Sequence, residues 1–188
     1  MTKYLKSSLT LFCICAFFAL LLSLVNMVTE PRIKAMAEQR VLDSLSMVIP
    51  SNSRINMDKD EVTVNKDGVN SYYIVENADK SLKGYVLNLK GSGYGGEFTV
   101  LAYYSKDGKL EKSKLLDNSE TSGIGKKYEN DDTISLFASY DRIPTSKKDL
   151  DPSDSLIVSG ASVTFQGLSS ALIGGQNYIN SVLKGGLK

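Results

Sequence analysis

The densest concentration of usable chemistry in this 188-residue chain is Ser159-Gly160-Ala161-Ser162-Val163-Thr164. Three hydroxyls stand among small residues, ahead of a run with helical spacing: Leu168, Ala171, Leu172, Tyr178, Ile179 and Leu183. The run before it, Ser155-Leu156-Ile157-Val158, is apolar and β-prone, so the pattern predicts a strand-to-helix turn. Such a turn exposes a side chain and aims backbone N–H groups at whatever sits there, which suits a phosphate. Gly160 and Ala161 leave room for a phosphodiester, and Thr164 offers a further hydroxyl to a phosphate oxygen.

Little else in the chain is reactive. There is no His and no Trp, and the two cysteines, Cys13 and Cys15, lie in an N-terminal apolar stretch. The rest of the chain therefore has no imidazole base near neutral pH, no thiolate nucleophile and no His/Cys metal cluster. Gly160-Ala161-Ser162-Val163-Thr164 comes within one residue of the G-x-S-x-G elbow of serine hydrolases, but that elbow works with a His partner. No S-x-x-K pattern begins at Ser162 either. Chemistry done by this protein needs an imported reactive group, and no independent catalytic centre is expected.

A second candidate for close ligand approach is Glu120-Thr121-Ser122-Gly123-Ile124-Gly125, in a polar stretch. Its two glycines permit a sharp turn or a backbone pressed against a ring or phosphate. The glycines between 91 and 96 do not make a P-loop, because no G-K-[ST] follows them. They read as a connection that reverses the chain.

These residues must be positioned by the elements around them. Residues 9–28 carry no charge, and about 20 apolar residues suffice to cross a hydrocarbon core of roughly 30 Å. Lys3 and Lys6 precede this span without any acidic neighbour, which predicts a cytoplasmic N-terminus (1–8) and an exported C-terminal part. The sequence thus predicts a single-pass inner-membrane protein in contact with lipid, its domain on the periplasmic or extracytoplasmic side. The run is long for a signal-peptide core, and the A-x-A site at Ala35-Met36-Ala37 lies beyond charges and Pro31. Thr29-Glu30-Pro31 reads as a helix start, opening a juxtamembrane helix over 29–50.

Residues 51–188 are then one domain of comfortable size. Two of the 22 basic residues precede the apolar span, so residues 29–188 carry twenty against all 21 acidic ones, a formal charge of −1. That balance excludes a nucleic-acid partner, which demands a basic excess. Short alternating runs between 62 and 116 predict strands, with a hairpin at Lys106-Asp107-Gly108-Lys109. A short helix is expected over 133–140, a surface loop over 144–152 and a final helix over 168–183, kinked at Gly174-Gly175. The fold class is α+β: a transmembrane helix followed by a mostly antiparallel sheet with flanking helices.

One apolar span, a Glu-Thr-x-Gly-x-Gly loop and a C-terminal Ser-Gly-Ala-Ser, in that order, resemble the FMN-binding domain family. The likeness is greatest to the G subunit of Rnf-type ion-translocating electron-transport complexes. It covers nearly the whole chain, from Leu9-Thr10-Leu11-Phe12 to Thr164. The resemblance implies covalent FMN held by a phosphoester on Ser162, in a site with Ser159, Gly160, Ala161, Thr164, Glu120, Thr121, Gly123 and Gly125. It implies a flavin transferase that installs the group from FAD with Mg²⁺, and the other membrane subunits of an Rnf-type complex as partners. The family's usual motif is S-G-A-T, so Ser162 replaces a Thr and keeps the attacking oxygen. Leu156 stands where the family often has Asp, and Ser122 and Ile124 replace the usual Pro and Leu. The implied function is a relay of electrons between ferredoxin and NAD within the complex. The alternatives are the related C subunit of sodium-translocating quinone reductases (NqrC), a flavin-bearing membrane regulator, or a flavin-free interaction domain.

Overall fold

The structure is a computed structural model that describes residues 2–55, 62–66, 68–118 and 125–184. It divides into two units, residues 1–40 and 41–188.

The first unit is helical. Helix α1 spans Thr2–Val48 and has Pro31 inside it. It is long and apolar enough to cross a membrane, and none of its most apolar window is buried against protein. The expected helix start at Thr29-Glu30-Pro31 is therefore corrected: the helix is already formed there. Proline removes one intrahelical N–H bond and crowds the preceding turn. In that turn the Thr29 hydroxyl donates to the Val25 carbonyl at 2.9 Å. One turn on, Lys34 pairs with Glu30 at 2.8 Å, an i,i+4 contact of the kind that favours helix.

The second unit is an antiparallel sheet with helices on its faces. Its strands are β1 Ser53–Ile55, β2 Val62–Lys66, β3 Val69–Asn77, β4 Leu82–Ser92, β5 Glu97–Ser105 and β6 Leu110–Asn118. β3, β4, β5 and β6 follow one another as neighbours. β1 and β2 share the remaining edge of β3, one at Val75–Asn77 and the other at Val69–Tyr72. Six strands thus occupy five positions. The glycine-rich stretch is the β4–β5 hairpin, closed by the Gly93 N–H donating to the Gly96 carbonyl at 2.8 Å. The β5–β6 hairpin turns at Gly108, whose φ of +82° favours glycine.

Alternation along the strands separates two apolar faces. One face buries Tyr73, Val75, Val86, Leu101 and Tyr103 against Leu45 and Val48 of the last turns of α1. The other face, with Leu87, Leu89, Val100 and Tyr104, packs on α2 (Asp131–Ser139) and α4 (Ser162–Tyr178). Phe165, Leu168 and Leu172 form the stripe of α4 that enters this core. Full burial of such side chains stabilises by roughly 1.5–3 kcal/mol each. Gly174-Gly175 produces no break, since α4 runs through both residues. Gly175 is needed there: a Cβ would stand 2.8 Å from the Tyr104 hydroxyl and 2.9 Å from Leu89.

Candidate functional site: the first turn of α4

The Ser159 hexapeptide joins two helices. α3 spans Pro152–Ile157, a turn follows at Val158–Gly160, and Ser162 is the first residue of α4. The expected strand before the turn is thus corrected. Pro152 pre-sets the helical φ at the first position of α3. Tyr140 fixes this segment: its hydroxyl donates to Asp154 at 2.6 Å and accepts the Asp151 N–H at 2.9 Å. The β-prone Leu156 and Ile157 are exposed on α3 instead of pairing in the sheet, which β1 to β6 already complete.

The turn itself rests on glycine. Gly160 has φ +83°, and among the described residues nothing lies within 4 Å of where its Cβ would be. Ser159 and Ser162 are both exposed. Ala161, the N-cap of α4, is buried and supplies no side-chain cap. The helix's own bonding begins with the Phe165 N–H donating to the Ala161 carbonyl at 2.9 Å. The amides of Ser162 and Val163 precede that first bond, in the region where a helix end offers donors and a positive dipole to an anion. Thr164, the further hydroxyl the sequence offered to a phosphate, is only 1% exposed and lies inside the fold.

Gly125 is buried and opens a short 3-10 turn, Gly125–Glu129. Glu120, Thr121 and Gly123 lie outside the described residues. From that turn Lys127 reaches the hexapeptide: its ammonium donates to the Ile157 carbonyl at 3.0 Å and to the Ser159 carbonyl at 2.5 Å. The end of the Glu-Thr-x-Gly-x-Gly loop is thereby tied to the Ser-Gly-Ala-Ser turn, with Lys127 and Ser159 32 residues apart in the chain. Lys127 also satisfies carbonyls left open at the C-terminal end of α3. Burial, with Lys147 nearby, draws its pKa below the usual lysine value. Sequence reasoning did not single out Lys127. A lysine next to another lysine carries no local signal of a contact 32 residues away.

Within this domain, residues 93–173 match the family described as FMN-binding domain. That segment of the chain is similar to FMN-binding domains. The match takes in β5, β6, α2, α3 and most of α4, and so includes the hexapeptide and Lys127. Two curated relatives, from two strains of Cereibacter sphaeroides, are each described as the G subunit of an ion-translocating oxidoreductase complex. Each is 30% identical over 125 residues, 64% of this chain. The matched segment spans 57% of the length of those relatives.

The residues around the first turn of α4 fit a phosphate-linked flavin. An exposed hydroxyl stands at the N-terminus of a 17-residue helix with no competing side-chain cap, beside a glycine with open space above it. The nearest acid, Asp154, accepts the Tyr140 hydroxyl on one carboxylate oxygen. Leu156, 77% exposed, presents an apolar surface instead. Among the described residues, no group of three or more His, Cys, Asp or Glu side chains is placed to hold a metal ion.

Proposed function

We propose that this chain is a membrane-anchored electron-relay subunit of an Rnf-type ion-translocating complex, with FMN attached to Ser162. The observation that carries the reading is the exposed Ser162 hydroxyl on the first turn of α4, inside the matched FMN-binding domain. The likeness to the G subunit of an ion-translocating oxidoreductase complex supports the assignment to the assembly, whose other subunits are then the partners. The apolar helix α1 supports a membrane anchor.

Attachment requires one exchange of bonds at phosphorus. The Ser162 oxygen forms a P–O bond to the FMN half of FAD, the pyrophosphate P–O bond to AMP breaks, AMP leaves, and the hydroxyl proton passes to solvent or to the transferase. The domain supplies the oxygen and the geometry, and the transferase supplies activation. When bound, the flavin provides the redox chemistry that the side chains of this domain lack. Ser162 and Val163 amides at the helix end favour the phosphodiester charge. Gly160 keeps the approach to Ser162 clear, and Lys127 holds the turn.

Lys3 and Lys6 favour an N-terminus inside the cell and a flavin domain outside. Protease added to intact spheroplasts is expected to digest the C-terminal domain. Full protection of that domain contradicts the topology. Co-expression with a flavin transferase is expected to give a fluorescent band after denaturing electrophoresis. A colourless band from a transferase that labels a known substrate contradicts the relay function.

A further inference from the structure

Within the apolar span of α1, side chains are sorted by polarity and size around the helix. At about 3.6 residues per turn, Cys15, Ala16, Ala19, Ser23 and Asn26 fall within about 100° of arc. Glu30, one turn beyond Asn26, continues the same line. Phe12 is the only large side chain of the span in that arc. Ile14, Phe17, Phe18, Leu21, Leu24 and Val25 occupy the opposite side. The two sides suit different surroundings. Bulky apolar side chains match lipid tails, whereas polar groups inside a membrane turn toward protein. Ser23 is the sharper case. The Thr29 hydroxyl satisfies itself on the Val25 carbonyl of its own helix. The Ser23 hydroxyl makes no such bond and, among the described residues, has no hydrogen-bond partner. In hydrocarbon an unmade hydrogen bond is costly, because no water replaces the missing partner. Asn26 donates to Glu30 at 3.3 Å, and Glu30 accepts from Lys34 at 2.8 Å. That leaves the Asn26 side-chain oxygen and one amide hydrogen for a neighbour.

We infer that the Ser23–Asn26 side of α1 packs against a transmembrane helix of another subunit, while the Phe17–Leu21 side faces lipid. The inference rests on the complex membership proposed above. Ala16 and Ala19 let a second backbone come close, and Ser23 and Asn26 then hydrogen-bond across the contact, the two means by which membrane helices associate. A second copy of this chain is the poorer occupant. Two parallel copies meeting through this side would set each Glu30 beside its equivalent, and like charges repel. A helix of different sequence, with polar groups at the level of Ser23 and Asn26 and no carboxylate opposite Glu30, complements the face. The anchor is then also the contact that holds the chain in the assembly.

The test uses the full chain with a C-terminal affinity tag in its native host, purified in mild detergent. Mass spectrometry identifies and quantifies the membrane subunits that come with it. Ala19→Leu combined with Asn26→Leu makes the contact side bulky and apolar and leaves the span able to insert. Leu21→Ala combined with Val25→Ala alters the opposite side. The first variant is expected to bring down the other subunits in severalfold lower yield, with its membrane fractionation and the melting temperature of its C-terminal domain unchanged. The second is expected to keep the full yield. A photocrosslinking side chain at position 23 is expected to join the chain to one of those subunits, and the same side chain at position 21 to join it to lipid. Full yield from the first variant, or an equal fall in both, would overturn the face. A crosslink from position 23 to a second copy would overturn the choice of partner in favour of self-association. Absence of every other membrane subunit from the unsubstituted preparation would overturn membership in the complex, and this face with it.

Discussion

At the residue scale, the site is a hydroxyl made accessible by its neighbours. Ser162 is presented because Gly160 turns the chain with positive φ and Ala161 buries its methyl beneath the helix end. Lys127 bonds the two carbonyls that frame the turn. Hydrogen bonds to charged groups contribute about 1.5–3 kcal/mol when well shielded and less near solvent. Lys127→Met is therefore expected to lower stability by about 1 kcal/mol and to reduce flavin yield, read from a urea midpoint and from intact mass. An unchanged midpoint and yield would show that the turn stands without it. The exposed Ser162 turn was legible in the sequence as a candidate because its neighbours are small and its motif is contiguous. Lys127 and the burial of Thr164 were not, because both depend on contacts between distant segments.

At the element scale, α4 is set on the sheet by two glycines and one tyrosine. Gly167 lets the helix approach the Ser92 carbonyl, Gly175 makes room for Tyr104, and the Tyr104 hydroxyl donates to the Leu172 carbonyl at 2.6 Å. Overpacking of such contacts costs about 1–3 kcal/mol. Gly167→Ala is expected to lower stability by that amount, read from the urea midpoint, and Tyr104→Phe by about 1 kcal/mol. Two buried phenols also set an alkaline limit. Burial, with Glu111 nearby, pushes Tyr103 up to about 12, and burial alone pushes Tyr104 higher still. Tyrosines of the unfolded chain ionise near about pH 10. The stability tied to the neutral phenols is thus complete below about pH 10 and is lost as pH rises toward about 12 and beyond. A urea midpoint that falls between about pH 10 and 12 bears this out, and a flat profile contradicts it. The strands between 62 and 116 were readable from alternation, and the helix expected over 133–140 is found at Asp131–Ser139, while β1 was not foreseen. The strand expected at 155–158 was not real, since β-propensity yields to context: Pro152 starts a helix there, and Tyr140 bonds to Asp154 of α3 and to the N–H of its N-cap Asp151.

At the scale of the whole molecule, the C-terminal unit depends on the end of α1. Leu45 and Val48 are almost fully buried against Tyr73, Val86 and Leu101. Deleting residues 1–40 is expected to leave a folded domain with a melting temperature within a few degrees of the full chain. Deleting residues 1–50 removes both side chains, and replacing even one buried Leu with Ala costs about 2–5 kcal/mol. The longer deletion is expected to melt much earlier or fail to fold. Equal melting of the two truncated chains would show that α1 adds nothing to the core. A juxtamembrane helix over 29–50 was among the sequence's readings, but spacing alone did not reveal which of its turns enter the sheet's second core.

The central claim is that Ser162 carries FMN through a phosphoester. Peptide mass mapping of the full chain, purified from its native host or after co-expression with a matching transferase, tests it most directly. The account predicts one FMN phosphoryl group on Ser162, its loss in Ser162→Ala without a change in folding, and its retention in Ser162→Thr. Ser162→Ala deletes one exposed oxygen, so its melting temperature is expected to match the unmodified parent chain, as exposed substitutions usually stay within about 0.5 kcal/mol. Flavin mapped to Ser159 or Thr164, or kept in full by Ser162→Ala, would contradict the claim.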